Sequence, residues 1–153
     1  MIKTEVVLKH LRSLQEYALR LRTFLALSEE ELIADITTYW AVQRGLQVAI
    51  QHLTDVGAHL LAGLGIGTPA EYRDIILGLG RHGIIPLDFA RRISSMAGFR
   101  NILVHQYLEI DESEVYRNLQ LGPDDFEAFV DHVLAFLQRE GYLQASQDAS
   151  DAH

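Results

Sequence analysis

Apolar residues recur three and four positions apart along most of the chain, and no run alternates apolar with polar residues under Val, Ile and Thr enrichment. The first pattern is that of amphipathic helices and the missing one that of strands, so an all-α fold is expected. A first helix is predicted over about residues 4–26, with Val7, Leu11, Leu14, Leu21 and Leu25 on one broad face. A second starts in SEEE, where Ser28 and Glu31 have the spacing of a capping box, and runs to the glycine cluster GLGIG with a break around DITT. Its later part carries Leu46, Ala49, Ile50, Leu53, Val56 and Leu60 at helical spacing. Pro69, Pro86 and Pro123 each stand where a helical pattern begins, a position at which a missing N–H costs little. TPAE reads as a second capping box, from Thr68 to Glu71, and predicts a helix over about 69–79. Gly83 then stops the chain before a fourth helix that runs from Pro86 towards His105, with Phe89, Ile93, Met96, Phe99 and Leu103 inward. A short helix after Asp111 and a last one over about 123–140 complete the pattern.

The 153 residues suffice for one domain with a real core, placed at 1–143, and neither a repeat nor a second domain is visible. Residues 144–153, QASQDASDAH, lack apolar content and are expected to be disordered. The first residues lack the apolar run of a secretory leader, and no stretch approaches the roughly 18 apolar residues of a membrane span. A cytoplasmic chain without a membrane partner is therefore expected. With no cysteine, neither disulfides nor thiolates enter the chemistry.

A net charge of −8 argues against a broad phosphate-binding surface but leaves room for a small basic cleft. Residues 81–100 hold Arg81, His82, Arg91, Arg92 and Arg100 against Asp88, while much of the acidity lies elsewhere. That segment leads into GFRNILVHQYLEID, residues 98–111, which sets Arg100, His105 and Tyr107 among aliphatic side chains. On a continuing helix Arg100 and Tyr107 fall about 20° from alignment, whereas His105 lies about 140° from Arg100. A regular helix therefore does not bring Arg100 and His105 to one atom. Either the helix ends near His105 and reorients the imidazole, or a two-fold copy supplies the second Arg and His. A plainer account is available too: a histidine near a helix C-terminus suits the dipole, and an arginine beside Phe99 can snorkel.

The order RNILVHQY, an R-x4-H-x-Y motif with GF before it and LEID after it, resembles the HepT-like branch of the HEPN superfamily. GLQVAIQHLTDVGAHLL resembles that family's second-helix segment and PAEYRDIILGLGRHGIIP its middle connector, so the resemblance runs over about residues 30–137. The motif itself shows no departure, and only the region before residue 30 matches loosely. The resemblance implies a HEPN-like up-and-down helical bundle that is homodimeric. It implies a metal-independent endoribonuclease, the toxin of a type VII-like toxin–antitoxin pair, with two copies of the motif lining a cleft at the dimer interface. It also implies an MntA-like minimal nucleotidyltransferase as partner and antitoxin, which attaches AMP to the motif tyrosine, here Tyr107.

Within that reading Arg100 holds phosphate and steadies transition-state charge, and His105 gives or takes a proton at neutral pH. Asn101, four residues before His105, orients the imidazole, binds RNA or is ordinary surface. Tyr107 stacks on a base or binds phosphate, and an AMP attached there would fill the cleft with bulk and charge. A rival signal lies on the second helix, where His52, Asp55 and His59 share a stripe of about 60°. Two histidines and a carboxylate suggest a metal site, but no EXXH-type motif on another helix completes one, so no metal or other cofactor is expected. Asp55 and His59 remain candidates to support the cleft or bind RNA. Tyr39 and Trp40 read as core or dimer contacts, His82 as exposed, and Arg91 and Arg92 as either cleft or solvated surface. GLGIG follows no strand and so fails the condition for a nucleotide loop. The main alternative is a non-catalytic HEPN-type helical module that binds a nucleotidyltransferase or a nucleotide, and after it an α-helical scaffold in which the motif is only a helix-end cluster.

Overall fold

Ser28 and Asp35 each start a helix, as SEEE and DITT suggest. In the computed structural model, which describes residues 1–144 apart from the Tyr107 side chain, the Ser28 hydroxyl accepts the Glu31 N–H at 3.1 Å and Glu31 accepts the Ser28 N–H at 3.0 Å. The Ser28 backbone N–H first, and the Ser28 side chain after it, hold the Glu31 carboxyl below its ordinary pKa. Asp35 accepts the Thr37 and Thr38 N–H groups and so begins the next helix one residue after the previous one stops. Among the described residues there are six α-helices and no strand: α1 (Thr4–Arg22), α2 (Glu29–Ala34), α3 (Ile36–Gly63), α4 (Tyr72–Arg81), α5 (Leu87–His105) and α6 (Glu112–Arg139). One 3-10 turn, Tyr107–Glu109, separates α5 from α6. Apart from Gln144, the tail expected to be disordered lies outside the described residues.

Three boundaries differ from the sequence-based expectation. The first helix ends at Arg22 rather than near 26, because Thr23 turns its N–H and hydroxyl onto the Arg20 carbonyl and the next amides bond only three residues back. TPAE is not a capping box: α4 begins at Tyr72 behind an extended Glu71, and the Thr68 hydroxyl points to the Ala58 carbonyl instead. Gly67, with φ at +90°, sends the chain away from a helical start at Pro69. The third correction is the largest. Pro123 does not begin a helix but sits buried within α6, so the two helices expected after Asp111 are one. A proline inside a helix costs about 3 kcal/mol. Here it is flanked by Leu119, Phe126, Phe129 and Val130, all fully buried, and their burial outweighs that cost.

α3 is the central element and touches α1, α2, α4, α5 and α6. Leu46, Ile50, Leu53 and Leu60 recur along its inward face and pack with Leu11 and Leu14 of α1 and Phe126 and Phe129 of α6 in one continuous core. α4 and α5 form a closely packed pair on this frame, and Gly80 lets them approach: a Cβ there would lie 2.6 Å from that of Ala90. The pair carries the GFRNILVHQYLEID segment at its far end. No helix among the described residues is long and apolar enough to cross a membrane.

Candidate active site at the end of α5

α5 stops at His105. Gln106 leaves the helical region (φ −127°, ψ 43°) while its N–H still bonds the Ile102 carbonyl, and the 3-10 turn and the Asp111 cap of α6 follow at once. The helix end that would reorient the imidazole is therefore present. His105 is exposed and makes no hydrogen bond with any described side chain, and its place in the last turn suits a positive charge.

Arg100 faces another way. Its guanidinium carbon lies 5.0 Å from the centroid of the Tyr72 ring, at the first residue of α4. Nη1 reaches Asn101 Oδ1 at 3.4 Å, a long contact, and Nε is buried without a hydrogen-bond partner. No described carboxylate pairs with Arg100. Arg22, by contrast, holds Asp124 and Glu127, and Arg92 holds Asp125. Arg100 is thus a half-buried cation laid on an aromatic face with its charge uncompensated. Asn101 leans to Arg100 rather than to His105. No hydrogen bond joins Arg100 to His105 within the chain, as the 140° between them led one to expect. The Tyr107 backbone opens the 3-10 turn; its side chain is outside what is described.

His52, Asp55 and His59 share a stripe of α3 but not a point. His52 Nδ1 lies 2.9 Å from His10 Nδ1 of α1, and its ring stands 6.1 Å from that of Tyr17. Asp55 accepts from Gln51 at 2.7 Å, and His59 Nε2 accepts the Lys3 N–H at 3.1 Å. Burial, followed by His10, pushes the His52 pKa down against the pull of Asp55. Burial, followed by Lys3, His10 and the N-terminal amine, does the same to His59. Among the described residues no three His, Asp or Glu side chains are grouped to hold a metal ion.

The remaining candidates divide cleanly. Tyr39 is buried, while Trp40 is 63 % exposed, so only the first of the pair is core. His82 is exposed at the end of α4. Arg92 lies over the Phe89 ring and pairs with the buried Asp125, whereas Arg91 stays exposed. Sequence reasoning did not single out Tyr72. Its only sign was a tyrosine at the head of an amphipathic run, which most often means packing.

Comparison with known proteins follows the same segment. Over 136 residues the chain is 24 % identical to the tRNA nuclease HepT of Aphanizomenon flos-aquae, covering 89 % of this chain and 92 % of that one. Over 101 residues it is 30 % identical to the mRNA nuclease HepT of Shewanella oneidensis, covering 66 % and 76 %. Its fold is similar to that of the cytosolic protein YutE from Bacillus subtilis, with a TM-score of 0.78 at 20 % identity over 91 % of this chain and 93 % of that one. It is also similar to a tri-AMPylated Shewanella oneidensis HEPN toxin in complex with an MNT antitoxin, with a TM-score of 0.76 at 24 % identity over 88 % and 99 %. A match to the family described as Ribonuclease HepT-like spans residues 14–133, from within α1 to within α6 and across the whole α5 segment. The chain belongs to the Ribonuclease HepT-like family.

Proposed function

We propose that the chain is the RNA-cleaving toxin of a toxin–antitoxin pair, acting in the cytoplasm as a homodimer and without a metal ion. The observation that carries this reading is the state of the R-x4-H-x-Y residues: Arg100 has no described carboxylate partner, and His105 stands exposed where α5 ends. Two relatives named as nucleases support it.

The chemistry needs three groups. A base takes the proton of the ribose 2′-OH, the 2′-oxygen attacks phosphorus, and an acid protonates the departing 5′-oxygen. A cation meets the charge on the phosphorane. One His105 serves as base and the His105 of a second copy as acid, and Arg100 supplies the cation through its guanidinium edge. Because Arg100 and His105 leave α5 in different directions, a second copy is the simplest way to complete the site. Gly98, on the exposed side of α5, leaves open space where a side chain would stand, which suits close approach of another helix.

The partner proposed is an MntA-like nucleotidyltransferase that attaches AMP to Tyr107 and so closes the cleft. The AMPylated HEPN toxin bound to an MNT antitoxin, whose fold this chain shares, supports that pairing. Asn101 serves Arg100 in this reading. In this reading His59 holds the start of α1 against α3 and Asp55 is bonded to Gln51 within α3, so neither serves the cleft.

The test is cleavage of total cellular RNA in EDTA by the full chain, once intact mass has shown it free of AMP, beside His105→Ala. Discrete cleavage by the wild type and none by the variant is the expected result. Equal cleavage by both would place the activity elsewhere. No cleavage by either, with a dimer present, would favour the non-catalytic module that binds a nucleotidyltransferase.

A further inference from the structure

We infer that Tyr72 is a positioning residue for Arg100: its ring, not a carboxylate, sets the plane of the guanidinium and leaves the charge free for a phosphodiester. The inference rests on the cleavage reading above. Its basis is the contact between the first residue of α4 and the middle of the α5 motif, with Cζ 5.0 Å from the ring centroid. An arginine that must be oriented is usually held by an acid, as Asp125 holds Arg92. An acid at Arg100 would compete with the phosphate it is meant to bind. An aromatic face fixes the plane and adds no net negative charge.

The contact also decides which edge of the guanidinium is offered. Nε is buried and makes no hydrogen bond, so the substrate meets the Nη groups, one of which reaches Asn101. Tyr72 is itself held: it is partly buried and packs against the core at the start of α4, so the ring is a fixed plate. Because Tyr72 lies outside the R-x4-H-x-Y motif, a chain can keep that motif intact and still lose the plate.

Two substitutions separate the roles of the ring. Tyr72→Leu keeps an apolar side chain and removes the aromatic face; Tyr72→Phe keeps the face. Cleavage of one defined RNA is followed at a temperature well below every variant's melting point, with Arg100→Ala alongside. Tyr72→Leu is expected to lower kcat about 5- to 30-fold with KM within about twofold, and Tyr72→Phe to stay within about twofold in both. A second readout is independent of activity. The Arg100 Nε–Hε proton, assigned by its loss in Arg100→Lys, should resonate upfield of exposed arginines in the wild type and in Tyr72→Phe, and return downfield in Tyr72→Leu. If Arg100→Ala abolishes cleavage while Tyr72→Leu cleaves like the wild type, the inference falls and the functional reading stands. If Arg100→Ala itself cleaves normally, both fall. A drop shared equally by Tyr72→Leu and Tyr72→Phe, or a proton unmoved in Tyr72→Leu, would show that the ring does not orient the guanidinium.

Discussion

Two clusters of ionisable side chains stand out in the sequence, and the fold treats them in opposite ways. Along one stripe of α3 each group has a partner: in the seam with α1, His10 and His52 share a hydrogen bond and His59 takes the Lys3 amide, while Asp55 takes Gln51 of α3 itself. At the end of α5, Arg100 rests on a ring with its charge unmatched, and His105 makes no hydrogen bond with a described side chain. Polar groups that the fold has already satisfied are part of its packing. Groups held in place but not satisfied have capacity left for something outside the chain. The number of histidines would have favoured the seam; their partners favour the α5 end.

The largest expected effect follows from that difference. Arg100→Ala should lower RNA cleavage by about 10²- to 10³-fold, the usual cost of losing a group that steadies transition-state charge, while its melting temperature stays near that of the wild type. His52→Ala should do the reverse. Cleavage should remain within about threefold, and stability should fall by about 1 kcal/mol as the seam loses its shared hydrogen bond and ring contacts. The pair is checked by cleavage rates and thermal melts on the same preparations. Loss of cleavage in His52→Ala at unchanged stability would erase the distinction between the two clusters.

Much of this is legible in the amino-acid sequence. Helix class, the Ser28 box, the break at DITT and the end of α5 at His105 all follow from local chemistry, because each is decided by residues within one turn. Pro123 and TPAE misled for the complementary reason. A proline and a capping pair are local signals, and burial on both sides of Pro123 and the course set by Gly67 overrode them. The motif was readable as a string, and the angle between its arginine and histidine as geometry. The Tyr72 ring under Arg100 was not readable, since residues 28 apart in sequence meet only through the packing of α4 on α5. The partners of His52 and His59 were hidden likewise, because both lie on α1 or just before it.

A smaller effect sharpens the same contrast within one helix. Arg91 and Arg92 adjoin, yet only Arg92 answers a buried carboxylate, that of Asp125. Burial keeps the Asp125 pKa above the ordinary range although Arg92 pulls it down, so the pair already carries a desolvation cost. Arg92→Ala would leave that carboxylate unpaired and should cost about 1–2 kcal/mol in chemical denaturation. Arg91→Ala should stay within about 0.5 kcal/mol. Equal costs would mean that solvent at the exposed Arg92 end already screens the pair.

The smallest effect is a slope rather than a step. In the seam His52 and His59 both have pKa values below that of a free imidazole, chiefly through burial, so the folded chain resists protonation there more than the unfolded chain does. As pH falls through the unfolded value near ~6.5, the unfolded state takes up protons first, and folding stability declines. The stabilisation is therefore present above about pH 6.5 and is lost towards acid, with a ceiling of about 1.4 kcal/mol per pH unit for each proton. The His10–His52 bond adds a reason, since two protonated rings cannot share it. Denaturant midpoints between pH 7.5 and 5 should fall in the wild type and fall less in His52→Ala. If His52→Ala kept the full slope instead, the proton uptake would belong to groups outside the seam, and the buried pairing of His10 with His52 would not be what acid undoes.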